Sequence, residues 1–165
     1  MTAETWPTAV LRPTGRARAL AAGLPGTVIQ EGVIDAPFDR VWGFVADLER
    51  SVPEFDVDVA RIRILDRDGT RLRVRARSSW RMAGVPIGFD VDLEDGWCWM
   101  VSRPRLYVVA MAAEPDPDDP GRTRYAHLEG ITVRPRALAR ATRWRTRHHV
   151  ASDVAGIERA LGLRP

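Results

Sequence analysis

The sequence predicts an α+β fold in which one curved antiparallel sheet wraps around a long C-terminal helix. Three observations carry the prediction: a strand and a short helix come first, five or six strands with alternating hydrophobicity follow, and a helical apolar stripe ends the chain. Successive strands without intervening helices are typical of antiparallel sheets, whereas α/β proteins alternate the two elements. We expect about seven strands in total, and a space between the sheet and the helix that covers it.

The first strand and helix are marked by β-branched residues and prolines. Thr27–Ile34 is rich in valine and isoleucine and predicts a strand. Pro37 favours a helix start, Pro53 favours a stop, and Ser51–Phe55 has the composition of a short second turn. One or two short helices should therefore follow the first strand. Their buried face carries Phe38, Val41, Trp42, Val45 and Leu48.

Alternating hydrophobicity predicts the remaining strands. Arg71–Trp80 shows it most clearly, because arginine occupies every second position from Arg71 to Arg77 and predicts a solvated outer face. A slip in the alternation near Ala60 predicts a β-bulge. The predicted strands are Val57–Leu65, Arg71–Trp80, Val85–Leu93, Trp97–Ser102, Leu106–Ala113 and Thr123–Val133.

A helix should close the chain, because Val150, Val154, Ile157 and Leu161 recur at helical spacing. At the other end, residues 1–25 have no sustained periodicity, although Ala17–Ala22 has the composition of a helical turn or two. We therefore predict a flexible N-terminal extension over residues 1–25 and one folded domain over residues 26–165.

Composition excludes several classes of protein. With 45% hydrophobic and 28% charged residues, the 165-residue chain is typical of a globular domain. The single cysteine, Cys98, rules out an intramolecular disulfide and any zinc site built on two or more cysteines, and we expect it to be a structural thiol. No apolar run is long enough to cross a membrane, and the N-terminus is a poor signal peptide, so we expect a cytoplasmic protein.

The opening and closing motifs resemble one known family. Ile34-Asp-Ala-Pro37, then Val41-Trp42, then Ala46-Asp47-Leu48, and later Gly121-Arg-Thr-Arg124 resemble the START-like, polyketide cyclase/dehydrase (SRPBCC) superfamily over about residues 26–162. The resemblance implies a helix-grip fold with a hydrophobic cavity for a lipid, sterol, polyketide or aromatic molecule. It does not imply a particular reaction, because the superfamily includes carriers, receptors, cyclases and hydrolytic enzymes.

The last predicted strand carries the candidate catalytic residues. Two-residue alternation places Tyr125, His127 and Glu129 on one face, where His127 could act as a general base whose imidazole is oriented by the Glu129 carboxylate. The simpler interpretation, which the pattern favours, is that His127 and Glu129 face solvent or pair with arginines on a neighbouring strand, while Ala126 and Leu128 point into the core. The strand register decides between them, since a slip of one residue reverses every side chain.

Aromatic side chains are the candidate ligand-binding residues, because they offer apolar contact area together with a polar handle. An ordinary core is the alternative for the same residues. Trp42, on the first helix, is interpreted as a packing residue. The candidate ligand-binding residues are Trp80, Phe89, Trp97, Trp99, Tyr107, Met111, Tyr125 and Trp144.

Three functions remain open from the sequence. The first is binding of a hydrophobic small molecule, and the second is a cyclase- or aromatase-type enzyme on the same scaffold. The third is an interaction module that binds RNA or an acidic partner through a basic stripe, although no RNA-binding motif is present and nucleic acid is the less favoured partner. That stripe consists of Arg136, Arg140, Arg143 and Arg147.

No cofactor motif is found, and we expect neither a cofactor nor a metal. The adjacent His148 and His149 point about 100° apart on a helix, so the two together do not chelate one ion. The sequence makes no prediction of oligomeric state.

Overall fold

A single seven-stranded sheet organises the part of the chain that the computed structural model describes, residues 10–79, 83–132 and 143–163. Every neighbouring pair of strands is antiparallel, which confirms the α+β prediction. The elements are α1 (Pro13–Gly23), β1 (Thr27–Ile34), α2 (Phe38–Val45), α3 (Leu48–Phe55), β2 (Val59–Asp68), β3 (Arg71–Ser78), β4 (Pro86–Glu94), β5 (Trp97–Arg103), β6 (Tyr107–Pro115), β7 (Thr123–Ile131) and α4 (Arg143–Ala160).

The strand order β1-β7-β6-β5-β4-β3-β2 places the first two strands at opposite edges of the sheet. Helices α2 and α3 make that connection. Pro53 lies inside α3 and does not stop a helix as predicted; the break comes earlier, at residues 46–47. The predicted bulge is confirmed by a register shift between Val59 and Arg61, and a second shift lies between Ile64 and Asp66.

Helix α4 covers the concave face of the sheet next to α3. The two helices meet at Gly156, where a Cβ would lie 2.6 Å from the carbonyl oxygen of Phe55 and 3.0 Å from its Cα. Only glycine allows the helices to approach this closely. Val150 and Ile157, both from the predicted apolar stripe, are fully buried. No helix among the described residues is long and apolar enough to span a membrane.

The convex face of the sheet is covered by α1, which differs from the expected flexible extension. Ala17 of α1 is fully buried and packs in one cluster with the small, buried side chains of β6 and β7. The buried Glu114 accepts hydrogen bonds from the Thr14 hydroxyl at 3.0 Å and the Thr14 amide at 3.4 Å. The sequence indicated only a helical turn or two over Ala17–Ala22, because the residues of α1 show almost no apolar periodicity and its partners on the sheet hold it. Those partners include Ala110, Ala112, Ala126 and Leu128.

Because both faces are covered here, strand β7 is buried on both sides. Ala126 and Leu128 point to α1, while His127 and Glu129 point to the concave face, and all four are at most 2% exposed. The solvated position favoured for His127 and Glu129 is therefore wrong. The sequence interpretation assumed that only one face of β7 is buried, so that burial of Ala126 and Leu128 would leave His127 and Glu129 in solvent. Because both faces are covered, all four side chains are buried. In β3, by contrast, the arginines from Arg71 to Arg77 are exposed as predicted.

Candidate functional site

A cleft of about 470 Å³ opens between the outer strands of the sheet and the first turns of α4. It continues inward as a narrow recess of about 50 Å³ that ends at β7. Both spaces are lined by Asp56, Val59, Ala76, Phe89 and Tyr107, so they form one continuous cavity. The walls are mainly apolar, and polar groups lie both around the cleft and at the inner end of the recess. The cleft is also lined by Asp58, Ser78, Ile87, Arg145, Thr146 and His149.

A chain of buried hydrogen bonds lies at the inner end of the recess. The Tyr125 hydroxyl is 3.2 Å from His127 Nδ1, and His127 Nε2 is 3.0 Å from Glu129 Oε1. The Tyr107 hydroxyl donates to Glu129 Oε2 at 2.5 Å. In the tautomer with its proton on Nε2, the His127 ring accepts from Tyr125 and donates to Glu129, which satisfies both partners.

This chain determines the ionisation of Glu129. Burial works to raise the pKa of its carboxyl group, but the hydrogen bonds from His127 and Tyr107 and the nearby His149 lower that pKa below the ordinary value of 4.5. Glu129 is thus an ionised carboxylate, and the neighbouring hydrogen-bond donors stabilise its negative charge. Both ring nitrogens of His127 are already engaged. The geometry therefore favours His127 as the group that orients Glu129, the reverse of the roles expected from the sequence.

His149, on α4, lies at the centre of a second polar cluster that adjoins Glu129. Its Nε2 is 3.6 Å from Asp56 Oδ1, 3.4 Å from Glu129 Oε2 and 3.5 Å from Asp153 Oδ2. Its Nδ1 is 3.7 Å from Asp58 Oδ2. The carboxylates come from three directions: the end of α3, strand β7 and α4 itself.

Burial, and then the crowding of these carboxylates, strongly perturbs the pKa of two of them. Burial, together with the charge of Glu129, raises the pKa of Asp56 from 3.8 to about 6. The same two causes, with Asp56 adding to them, raise the pKa of Asp153 from 3.8 to about 10. Asp56 lines the cavity, and perturbed carboxyl groups in and beside a cavity are typical of functional sites.

Half of the predicted aromatic set reaches this region. Phe89, Tyr107 and Met111 line the recess. Tyr125 lies behind the recess, where its hydroxyl is within hydrogen-bond distance of His127. Trp144 is 67% exposed on α4 and lines neither cavity, and Trp80 lies outside the described residues.

Trp97 and Trp99 do not fit the predicted cavity role, because both point to the convex face. Trp97 is buried there beside α1, and the Arg16 guanidinium lies 5.7 Å from its ring centroid. The alternation of β5 instead directs Cys98 and Met100 to the concave core. The two tryptophans flank Cys98 on the same strand, so the face assigned to Cys98 also determines the opposite face for both tryptophans.

The sequence interpretation missed Asp56, His149 and Asp153. One signal was available: His149 and Asp153 stand four residues apart on a helix, and Asp153 interrupts the buried side of the apolar stripe. Asp56 had no such signal, since only the packing of α3 against α4 brings it to His149. The proposed basic stripe falls partly outside the described residues, at Arg136 and Arg140, while Arg143 and Arg147 are exposed.

A larger groove, of about 560 Å³, lies on the convex face beside Trp99. Its lining is largely charged, and two of its charges already form an ion pair, between Arg73 and Asp66 at 2.8 Å. Asp90, also in its lining, pairs with Arg103. Charges that neutralise one another in this way make the groove a weaker candidate than the inner cavity.

Comparison with known proteins shows the fold. The chain superposes on the Zhui aromatase/cyclase from Streptomyces sp. R1128 with a TM-score of 0.64 and 16% identity, covering 82% of this chain and 93% of that one. A START superfamily protein from Mycobacterium smegmatis gives a TM-score of 0.58 and 15% identity, covering 81% and 98%. A protein from Thermus thermophilus gives a TM-score of 0.61 and 21% identity, covering 82% of this chain and 96% of that one. The START-like helix-grip fold predicted from the sequence is thereby confirmed.

Comparisons of sequence add little to this. No family model matches the chain. A segment is 38% identical over 76 residues to an 8-amino-7-oxononanoate synthase from Burkholderia vietnamiensis, a match that spans 39% of this chain and only 19% of that enzyme.

Proposed function

We propose that the protein binds a hydrophobic small molecule in the cavity between the sheet and α4. The continuous cavity carries this proposal, because its volume of about 470 Å³ falls within the range of about 300–1,000 Å³ typical of ligand sites. Val59, Ala76, Ile87 and Phe89 supply an apolar wall. A lipid, polyketide or aromatic ligand would place its apolar body there.

The polar groups around the cavity define how such a ligand would be oriented. Asp56, Tyr107 and His149 line the cleft at its inner side, and Arg145 also lines it. A ligand with a hydroxyl or carbonyl group would direct it inward, toward Tyr107, His127 and Glu129 in the lining of the recess. An anionic group would instead stay beside Arg145.

Binding can be tested with the neutral fluorescent probe N-phenyl-1-naphthylamine. We expect saturable binding of one probe per chain and at least a tenfold loss of affinity in Ala76→Phe, because Ala76 lines both parts of the cavity. Arg75→Gln is the matched control, since Arg75 is the exposed neighbour on the same strand. Equal affinity in Ala76→Phe and the unaltered protein would contradict the proposal.

A second candidate function is proton transfer during cyclisation or dehydration of a ketone. The hydrogen-bonded chain favours it, because His127, Glu129 and Tyr107 all line the recess. Glu129, oriented by His127, is the candidate base; Tyr107 could donate to a developing oxyanion only after releasing Glu129. Catalysis would otherwise consist of holding a reactive chain in a shaped cavity.

Exchange of the α-protons of 1-tetralone for deuterium, followed by NMR in the presence of a chelator, tests this second candidate. We expect the unaltered protein to accelerate exchange and Glu129→Gln to lose the acceleration. Glu54→Gln, which alters an exposed carboxylate on α3, should keep it. Equal exchange with and without the protein would rule out proton abstraction from this ketone.

A further inference from the structure

Four neighbouring side chains, three of which line the cavity, have the composition of a metal-binding site. Asp56, Glu129, His149 and Asp153 each direct one oxygen or nitrogen into the same space, and these four atoms lie within 4.8 Å of one another. We propose that they bind one divalent transition-metal ion, with Zn²⁺ as the best match. The site shares Asp56, Glu129 and His149 with the lining of the cavity, but binding of the ion does not require the proposed hydrophobic ligand.

The spacing of the atoms fits coordination better than direct hydrogen bonding. His149 Nε2 is 3.4–3.6 Å from one oxygen of each of the three carboxylates. Hydrogen bonds between nitrogen and oxygen are shorter, at about 2.7–3.2 Å. Four donors placed tetrahedrally about 2.0–2.2 Å from a zinc ion are separated from one another by about 3.3–3.6 Å, which is about 1.63 times the bond length.

Asp153 provides the independent observation. Its side chain is fully buried, yet neither carboxylate oxygen has a hydrogen-bond partner among the described residues. Buried polar groups are almost always hydrogen-bonded, and an orphaned carboxylate is among the most costly exceptions. One of these oxygens points at the centre of the cluster, 3.5 Å from His149 Nε2. A cation between them would satisfy it.

The surrounding groups hold the donors in place, as outer partners do around protein metal sites. Tyr107 donates to Glu129 Oε2, and His127 lies within hydrogen-bond distance of Glu129 Oε1. Asp58 Oδ2 lies 3.7 Å from His149 Nδ1, on the side of the ring away from the other carboxylates. A carboxylate behind a ligating histidine favours the tautomer whose Nε2 is free for the metal.

The donor set also selects the class of metal. One imidazole and three carboxylates suit Zn²⁺, Mn²⁺ or Fe²⁺, whereas copper(I) prefers sulfur and Ca²⁺ takes six to eight oxygens. His149 Nε2 lies at the tetrahedral spacing from an oxygen of each carboxylate, which favours Zn²⁺ among these. The ion would enter through the cleft, because His149 lines the cleft and its side chain is 20% exposed.

The test uses the full chain after treatment with a chelator, with ZnCl₂ added during calorimetry and Co²⁺ as a spectroscopic probe. We expect one ion per chain with a dissociation constant of micromolar or tighter, and a visible Co²⁺ absorption typical of tetrahedral coordination. His149→Ala should weaken Zn²⁺ binding at least tenfold. His148→Ala is the matched control, because His148 is the exposed neighbour of His149 on the same helix. This variant should bind Zn²⁺ as tightly as the unaltered protein.

Asp153→Asn keeps the proposal testable if His149→Ala fails to fold. It preserves the size of the side chain and should weaken Zn²⁺ binding at least tenfold while the circular dichroism spectrum stays native. Equal losses in the two histidine variants, unchanged binding in Asp153→Asn, or binding only at millimolar Zn²⁺ would each overturn the proposal. Probe binding in the presence of the chelator should be unaffected in Asp153→Asn, which separates this test from that of the hydrophobic ligand.

Discussion

Replacing Gly156 by alanine tests whether the contact between α3 and α4 positions the site. The added Cβ would lie 2.6 Å from the Phe55 carbonyl oxygen, 3.0 Å from its Cα and 3.1 Å from its Cβ. Two of these three atoms belong to the backbone, so no side-chain rotation relieves the contact. The helices must instead move apart. Asp56 follows Phe55 directly, so this movement would also shift Asp56 away from His149.

The size of the effect follows from two opposing terms. Alanine gains about 1 kcal/mol over glycine inside a helix. Overpacking a rigid site costs about 1–3 kcal/mol, and the upper end applies because the contact is with backbone. We expect a net loss of about 2 kcal/mol in the free energy of unfolding. For a chain of this size that corresponds to a decrease of about 4–8 °C in the melting temperature.

Gly43→Ala is the matched control for this prediction. Gly43 is an exposed helical glycine of α2, and a Cβ there would contact nothing within 4 Å. It should therefore show only the helix gain, about 1 kcal/mol, measured by the same thermal and denaturant unfolding. If the Gly156→Ala variant is as stable as the Gly43→Ala variant, then α3 and α4 do not approach each other as closely at Gly156 as described.

Further predictions concern groups on either side of the sheet. Burial, and then nearby acidic groups, raises the pKa of Tyr107 and Tyr125 well above 10, so folding excludes the phenolates. The unfolded chain loses these protons above about pH 10, so stability should fall there, and tyrosinate absorbance should rise only as the protein unfolds. Burial likewise raises the pKa of Cys98, which should react with a thiol reagent only in denaturant, as one equivalent. Thr14→Val removes a donor to the buried Glu114 and should lower the free energy of unfolding in urea by about 1–3 kcal/mol.

Local patterns predicted the strands well because each pattern depends on residues next to one another. The limits of β1 follow from its β-branched residues and the Pro37 that comes after it, and the bulge near Ala60 follows from the slip in the alternation. Helix α1 could not be predicted in this way, since it is held by small side chains on β6 and β7, which are distant from it in the sequence. The same limitation applies to the site. Tyr107, His127 and Glu129 stood on predicted strands, but Asp56 and Asp153 become neighbours only when α3 packs on α4.

The position of the polar cluster is itself an argument for function. A core selected for stability alone would fill the recess between β7 and α4 with apolar side chains, because unpaired buried carboxylates oppose folding. Instead, the apolar stripe of α4 is interrupted by Asp153 at a fully buried position, on the same helix as the glycine that admits α3. Departures from local design rules concentrate at functional sites. Helix α1 helps the fold to tolerate the buried polar cluster, because it covers the convex face of β7 and adds apolar burial behind the strand that carries His127 and Glu129.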